Sequence, residues 1–233
     1  GLDIHAGRIG AVNYINKTSL IGGWHGHNSD YLGFEMSIKP FEKKTDIKTA
    51  IVIGYGGAAK AIIYSLYKKG KKIKLFNRSY KKISNLGIDI PHYNQLLGWE
   101  KKPKHMFVKV QPHSNYPIDT IKSYKLEDLE KHTHSADIII NTTPINVLYK
   151  SNKLKIKPNT IGFDVVYKPK GGTGFLNHFE PENRIEGIYM LAHQASFCWD
   201  SWFLGDSIIN DDSIDLVDED LINYLFKKME EDT

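Results

Sequence analysis

A glycine-rich turn at Gly54, Gly56 and Gly57 is the strongest chemical signal in the chain. It follows a continuous apolar run at residues 50–53 and precedes a helix-like segment at residues 58–69. Glycine permits a tight strand-to-helix turn that approaches a pyrophosphate closely, and the helix N-terminus adds N–H groups and partial positive charge. The turn therefore predicts a dinucleotide site, with a purely structural turn as the alternative reading.

Asn77 and Arg78 follow the next predicted strand, residues 72–76. A site for NAD usually has Asp or Glu here, which accepts a hydrogen bond from the ribose 2′-hydroxyl. An arginine instead pairs with a 2′-phosphate through two N–H groups. Only three arginines occur in a lysine-rich chain, at Arg8, Arg78 and Arg184, so this placement is informative. The position predicts NADP(H) rather than NAD(H), and an ordinary surface arginine is the alternative.

The elements that would hold these residues alternate between strands and helices. The predicted strands are residues 50–53, 72–76, 106–110, 137–141 and 160–166, and the predicted helices are residues 58–69, 79–86, 126–131, 173–179, 187–203 and 218–229. This alternation predicts an α/β fold with a doubly wound parallel sheet of the Rossmann type. Thr143 follows the strand at 137–141, at the edge where such sheets bind ligands. Residues 111–124 show no period and are predicted to be an inserted loop.

The N-terminal region has shorter elements. Residues 11–15 and 19–21 are predicted to form a β-hairpin, and the three glycines in residues 22–28 predict a loop. Ser29 or Asp30 can cap a helix at residues 31–38, which Pro40 is expected to end.

Composition limits the function classes. The 233 residues are 41% hydrophobic and carry a formal net charge of only +4, spread along the chain, so nucleic acid is not an expected partner. No apolar run approaches the ~18 residues of a membrane span. The single cysteine, Cys198, excludes an internal disulfide and favours a reducing, cytoplasmic compartment. We expect a small-molecule substrate and no metal ion.

Seven segments in order, across residues 6–205, resemble the motifs of the shikimate dehydrogenase family, including such domains of multifunctional eukaryotic proteins. They are GAVNYI from Gly10, NSD from Asn28, GYGGAAKA from Gly54, NRS from Asn77, INTTP from Ile140, DVVYKP from Asp164 and GIYMLAHQA from Gly187. The resemblance implies NADPH-dependent reduction of 3-dehydroshikimate to shikimate, in chorismate and aromatic amino acid biosynthesis, with quinate as a related substrate. Other domains of that pathway are partners if the chain belongs to a larger polypeptide.

The resemblance also assigns roles by motif match. The substrate residues are Asn13, Asp30, Tyr167 and Gln194, of which Asp30 is one half of the family's Lys–Asp catalytic pair. The cofactor residues are Gly54, Gly56, Gly57, Ala58, Asn77, Arg78, Thr143, Val166 and Met190. Residues 1–45 are expected to be the remnant of an N-terminal α/β substrate domain, residues 46–205 the NADP-binding domain, and residues 206–233 a C-terminal helix that packs back on the substrate domain.

Structural readings of the substrate residues stay open. Asn13 could be a turn residue, Asp30 a helix cap, Gln194 a core amide and Tyr167 a packing residue. The family's lysine lies upstream of the first motif, and no lysine precedes Lys17. We therefore expect either that the parent protein carries that lysine elsewhere or that this chain is a catalytically silent NADP-binding homologue with a regulatory or structural role. A second departure is Tyr189, which stands where the family has a small residue.

Overall fold

A computed structural model describes residues 1–17, 23–79, 121–148, 154–167 and 173–203, together with positions 220, 224, 227, 228 and 231. The chain opens with helix α1, Ile4–Ile9. The carboxylate of Asp3 caps it by accepting from the N–H groups of His5 at 2.6 Å and Ala6 at 2.9 Å. Strands β1, Tyr14–Lys17, and β2, Trp24–His27, form an antiparallel pair, and helix α2, Asp30–Glu42, follows.

The hairpin is displaced from its predicted position. Its second strand is Trp24–His27, so the prediction of a loop at residues 22–28 was wrong, and residues 19–21 lie outside the described residues. Gly26 is strand-forming here because Leu2 and Val12 pack over it: an added Cβ would lie 3.0 Å from Leu2 Cδ2 and 2.8 Å from Val12 Cγ2. The N–H of Gly26 donates to the carbonyl of Gly1, and its carbonyl accepts from the N–H of Asp3, both at 3.0 Å.

The expectation that Pro40 ends the second helix was also wrong, because Pro40 lies inside α2. Proline removes one backbone donor and usually breaks a helix interior. Here it falls near the end of α2, between Ile38, which is fully buried, and Phe41, which packs on the same core. Packing of Ile38 and Phe41 on the core, before and after the proline, stabilises the helical conformation as far as Glu42.

Six parallel strands form the central sheet. They are β3 (Thr49–Ile53), β4 (Lys72–Asn77), β5 (Ile121–Lys125), β6 (Ile138–Asn141), β7 (Ile161–Asp164) and β8 (Arg184–Glu186). The spatial order is β5-β4-β3-β6-β7-β8, with every neighbouring pair parallel. This is the doubly wound Rossmann order, whose direction reverses between β3 and β6. The predicted fold class is confirmed.

Helices α3, Gly57–Lys68, and α4, Gly187–Phe203, lie close to their predicted positions. The predicted helices at residues 126–131 and 173–179 are 3₁₀ helices, at Leu126–Lys131 and Phe175–His178, and two shorter 3₁₀ helices occupy Thr133–Ser135 and Pro181–Asn183. Within the described ranges, no helix has the length and apolar character needed to cross a membrane.

Strand β5 corrects the prediction of a loop through residue 124. It is an edge strand of the sheet, and its polar side chains, such as the exposed Lys122 and the half-exposed Ser123, hide it from a hydrophobicity pattern. The predicted strand at residues 106–110 lies outside the described residues. So do residues 80–86 of one predicted helix and most of residues 218–229 of another.

The core is divided by the sheet. Along β3, Ala50 and Val52 face a cluster that includes Phe34 of α2, while Ile51 and Ile53 face a second cluster on the other side. All four β3 side chains are fully buried. Burial on both faces explains the continuous apolar run in the sequence, and the parallel direction of the strands brings their carboxyl ends to one edge of the sheet.

Candidate active site and nucleotide crevice

Asn13 connects polar side chains from two helices. It directly precedes β1, and its backbone N–H donates to the carbonyl of His27 at 3.0 Å. Its side-chain Nδ2 donates to Asp30 Oδ1 at 2.9 Å, at the start of α2, and to Gln194 Oε1 at 3.0 Å, in α4. The structure therefore brings together three of the four predicted substrate residues, although Gln194 is 181 positions from Asn13.

The orientation of these amides follows from their donors. The backbone N–H of Ser29 donates to Asn13 Oδ1 at 2.9 Å, so Asn13 must present its NH₂ group to Asp30 and Gln194. Gln194 accepts from Asn13 through its amide oxygen, so its own NH₂ group points away from Asn13. Among the described residues, neither Gln194 Nε2 nor Asp30 Oδ2 has a hydrogen-bond partner. The pair thus offers one donor and one acceptor, which suits a ligand hydroxyl.

Asp30 is not a capping residue. It is the first residue of α2, and its own N–H donates to Asn28 Oδ1 at 3.0 Å, while its carboxylate accepts from Asn13. Burial raises the pKa of Asp30 above its usual value, and the hydrogen bond from Asn13 opposes that rise only in part. A carboxyl group with a raised pKa and an unused oxygen is suited to proton exchange with a ligand.

Gly33 sets the distance between α2 and α4. A Cβ at this position would lie 2.7 Å from the carbonyl oxygen of Met190 and 2.9 Å from Gln194 Cβ. Any side chain there would push α4 away from α2. The absence of a Cβ at Gly33 is therefore what allows Gln194 to reach Asn13 and the start of α2.

The glycine turn has the geometry of a phosphate site. Gly54 has φ of 104°, and an added Cβ would overlap Thr142 Oγ1, so only glycine fits. Beside Gly56, by contrast, an added Cβ would meet nothing within 4 Å. Helix α3 starts at Gly57 and has no acidic residue in its first turn. This open space at a helix N-terminus fits the pyrophosphate of a dinucleotide.

Asn77 is the last residue of β4, and Arg78 directly follows it, beside the glycine turn. The carbonyl of Phe76, the preceding residue, accepts the N–H of Gly54 at 2.9 Å. Asn77 is half-buried, its Oδ1 accepts the N–H of Ser79 at 3.3 Å, and Arg78 is exposed. The backbone thus places Arg78 close to the glycine turn, and its contact with a 2′-phosphate stays a prediction.

A buried amide shapes the other side of the crevice. Asn141, at the end of β6, has no exposed surface and donates to Asp164 Oδ1 and to the carbonyl of Thr143, both at 3.1 Å. The hydroxyl of Thr143 donates back to Asn141 Oδ1 at 2.7 Å, and its methyl lies 3.2 Å from where a Gly54 Cβ would be. Burial raises the pKa of Asp164 despite hydrogen bonds from Thr173, Val166 and Asn141. Thr143 therefore adjoins the glycine turn, and its contact with a cofactor stays a prediction.

The remaining predicted residues are less well defined. The N–H of Val166 donates to Asp164 Oδ1 at 3.2 Å, while Met190 is buried in the core. The half-buried ring of Tyr189 packs against that same core. Tyr167 is 49% exposed, and its hydroxyl has no hydrogen-bond partner in the described part of the chain. Its predicted contact with substrate stays a prediction.

The sequence did not assign Ser29 or Cys198 to the site. Ser29 was predicted only as a candidate helix cap, and it occupies the N-cap position of α2 without a side-chain capping bond. Ser29 Oγ donates to Gln194 Oε1 at 3.2 Å, and Cys198 Sγ lies 3.2 Å from Ser29 Oγ. The available signal was spacing: Cys198 is four residues after Gln194 on one helix, so both side chains share a face.

Comparison with known proteins gives a consistent result. No family model matches the chain. Shikimate dehydrogenase (NADP(+)) of Dictyoglomus turgidum is 29% identical over 201 residues, which cover 84% of this chain and 62% of that relative. A shikimate dehydrogenase structure in complex with NADP+ is 25% identical, with a TM-score of 0.65 over 98% of this chain and 70% of the other. A Thermus thermophilus shikimate 5-dehydrogenase structure, in complex with NADP(H) and shikimate, is 19% identical, with a TM-score of 0.64 over 98% and 72%. The chain thus spans about three fifths of the length of the first curated relatives it matches.

Proposed function

We propose that the chain is an NADP(H)-dependent oxidoreductase of the shikimate dehydrogenase family, the family named for its curated relatives, and that it interconverts 3-dehydroshikimate and shikimate. The observation that carries the proposal is the convergence of Asn13, Asp30 and Gln194, which leaves one donor and one acceptor free for ligand hydroxyls. Residues 1–45 supply most of this substrate side, and residues 46–205 supply the nucleotide side and Gln194.

The nucleotide is held at the carboxyl edge of the sheet. Gly54, Gly56, Gly57 and Ala58 bind the pyrophosphate through backbone N–H groups at the start of α3. Arg78 pairs with the 2′-phosphate, with Asn77 beside it. Thr143, Val166 and Met190 line the remainder of the crevice. The bound cofactor supplies the hydride, and the protein supplies its binding and orientation.

The substrate side handles hydroxyl groups and a proton. Gln194 donates to one hydroxyl through Nε2, and Asp30 accepts from it through its unused oxygen. The raised pKa of Asp30 favours a carboxyl group that can hold the exchanged proton. Asn13 fixes the positions of the Asp30 carboxylate and the Gln194 amide relative to each other, because it donates a hydrogen bond to each of them. Tyr167 contacts the substrate by motif match.

The test is turnover of the purified chain with shikimate and NADP+, followed by the absorbance of the reduced nicotinamide. Shikimate and NADP+ binding are measured separately by calorimetry. We expect Asp30→Asn to abolish turnover while NADP+ binding is unchanged. Absence of shikimate binding by the unaltered chain at millimolar concentration would overturn the proposal.

A second candidate function is NADP(H) binding without turnover. It is favoured by one observation: in the described part of the chain, no lysine ammonium contacts the carboxylate of Asp30, whose hydrogen-bond partner is Asn13. The same assay separates the two candidates. Binding of both ligands without reduction of the nicotinamide favours this second function, and measurable turnover excludes it.

A further inference from the structure

A hydroxyl and a thiol lie side by side behind Gln194. Ser29 Oγ is 3.2 Å from Gln194 Oε1 and 3.2 Å from Cys198 Sγ, and Cys198 Sγ is 3.9 Å from the same amide oxygen. Both side chains are buried, with only 1% of Ser29 and 6% of Cys198 exposed. Neither is in a position to contact a ligand directly, so any effect on binding must pass through Gln194.

The protons in this group are too few for the acceptors around Asn13. Its NH₂ group has two protons but three acceptors within 3.0 Å: Asp30 Oδ1, Gln194 Oε1 and Ser29 Oγ. The carboxylate of Asp30 accepts a hydrogen bond from one of these two N–H groups, because it is the strongest acceptor of the three. The second N–H of Asn13 is shared between two acceptors, Ser29 Oγ and Gln194 Oε1. If another group donated to Ser29 Oγ, this N–H could donate to Gln194 Oε1 alone.

The thiol of Cys198 can be that donor. If its S–H donates to Ser29 Oγ, the hydroxyl proton of Ser29 is free to reach Gln194 Oε1, and every acceptor in the group is satisfied. Burial raises the pKa of Cys198, the hydrogen bond with Ser29 opposes this, and the charge of Asp30 adds to it. The group therefore stays a thiol, with its proton, at neutral pH.

We propose that Cys198 and Ser29 are positioning residues that hold the Gln194 amide with its oxygen inward and its NH₂ group toward the ligand. This proposal rests on the proposed function, because it gives the Gln194 NH₂ group a substrate hydroxyl to bind. The donor series Cys198 to Ser29 to Gln194 keeps one edge of the site a hydrogen-bond donor. Without it, the amide shares the Asn13 proton with Ser29 and loses its fixed orientation.

The first test is shikimate affinity in the presence of saturating NADP+. Cys198→Ala removes the donor, and we expect a roughly two- to ten-fold loss of affinity, the usual net effect of one hydrogen bond. Cys198→Ser keeps a donor and should restore at least half of the loss on a logarithmic scale. The matched control is Ala195→Ser, an exposed change on the same helix, which should leave affinity unchanged. If affinity follows the melting temperature of the variants rather than the presence of a donor, the thiol acts by packing alone and the proposal fails.

The second test does not depend on substrate. Cys198 is the only cysteine, so the S–H stretching band in a Raman spectrum reports on it alone. The band should lie at the low wavenumber of a hydrogen-bonded thiol and move higher in Ser29→Ala. An unchanged band in that variant overturns the proposal. If the unaltered chain binds no shikimate while the band shifts as expected, the proposed function fails and the hydrogen bond from Cys198 to Ser29 is supported.

Discussion

Asp30 combines burial with a single side-chain donor, and these two features act in opposite directions on its pKa. Its folded-state pKa lies above the usual 3.8, because burial outweighs the hydrogen bond from Asn13. The unfolded chain therefore releases this proton at lower pH than the folded chain does. Ionisation of Asp30 destabilises the fold as pH rises from 3.8 through the folded-state pKa, and the cost persists at neutral pH.

Asp30→Asn should therefore raise the free energy of unfolding at pH 7, since an amide cannot ionise and still accepts from Asn13. The gain should shrink toward zero as pH approaches 3.8. Urea unfolding at pH 7 and at the lowest pH where both proteins stay folded measures it. A variant less stable than the parent at pH 7 would contradict the burial argument.

Arg78 is predicted to determine which dinucleotide is preferred. We expect Arg78→Ala to weaken NADPH binding by about 1.5–3 kcal/mol, as for a hydrogen bond to a charged group, and to change NADH binding little. Lys72→Ala is the control, because it removes the same charge at the opposite end of β4. Calorimetric titration of both nucleotides measures the difference. Equal losses for NADPH and NADH would defeat the assignment of the 2′-phosphate to Arg78.

The glycine turn between β3 and α3 uses its glycines for different reasons. Gly54 needs a positive φ and has no room for a Cβ, whereas Gly56 has ordinary φ of −82° and open space beside it. The first glycine is required by the fold, and the second leaves room for a ligand. Stability and nucleotide affinity should therefore separate between the two positions.

Gly54→Ala should destabilise the fold by on the order of 1–3 kcal/mol, the cost of a strained backbone at a non-glycine residue. Gly56→Ala should change stability by less than about 0.5 kcal/mol, as an open surface substitution does, yet weaken NADP+ binding because the methyl enters the phosphate space. Urea midpoints and NADP+ titrations on both variants provide the comparison. Equal nucleotide affinity in Gly56→Ala and the parent would argue against a pyrophosphate at this turn.

On the scale of the whole molecule, the contact between α2 and α4 joins the N-terminal part to the nucleotide-binding part. Gly33 allows that contact, and Phe34 and Ile38 of α2 enter the same core as Met190 of α4. The predicted substrate residues come from both sides of this contact. The alignment of Asp30 with Gln194 is therefore a property of the whole fold.

Gly33→Ala should lower stability by about 1–3 kcal/mol, the cost of overpacking a close helix contact, and should also weaken shikimate binding. Gly7→Ala in α1 is the control: a Cβ there meets nothing within 4 Å, so the change should stabilise by up to about 1 kcal/mol. Thermal unfolding and shikimate titration measure both. A stable Gly33→Ala variant with normal shikimate affinity would show that α4 shifts without disturbing the site.

Local patterns were sufficient for the nucleotide side. The sequence predicted the buried strands β3, β6 and β7, the glycine turn and the extent of α4. These features depend on hydrophobic periodicity and on glycine positions, which are visible in consecutive residues. Arg78 could be named for the same reason, since it directly follows a recognisable strand. Motif resemblance, rather than local pattern, was needed to name Asn13 and Gln194.

Tertiary structure alone decided the substrate side. Whether Asn13 is only a turn residue or also donates to several side chains depends on Gln194, which is 181 positions away. Gln194 reaches Asn13 because Gly33 has no side chain and allows α4 to pack closely on α2. The strand at Gly26, the helical path through Pro40 and the polar edge strand β5 likewise depend on packing partners distant in sequence. Local propensity opposes each of them, and burial or backbone pairing with those partners supplies the free energy that overrides it.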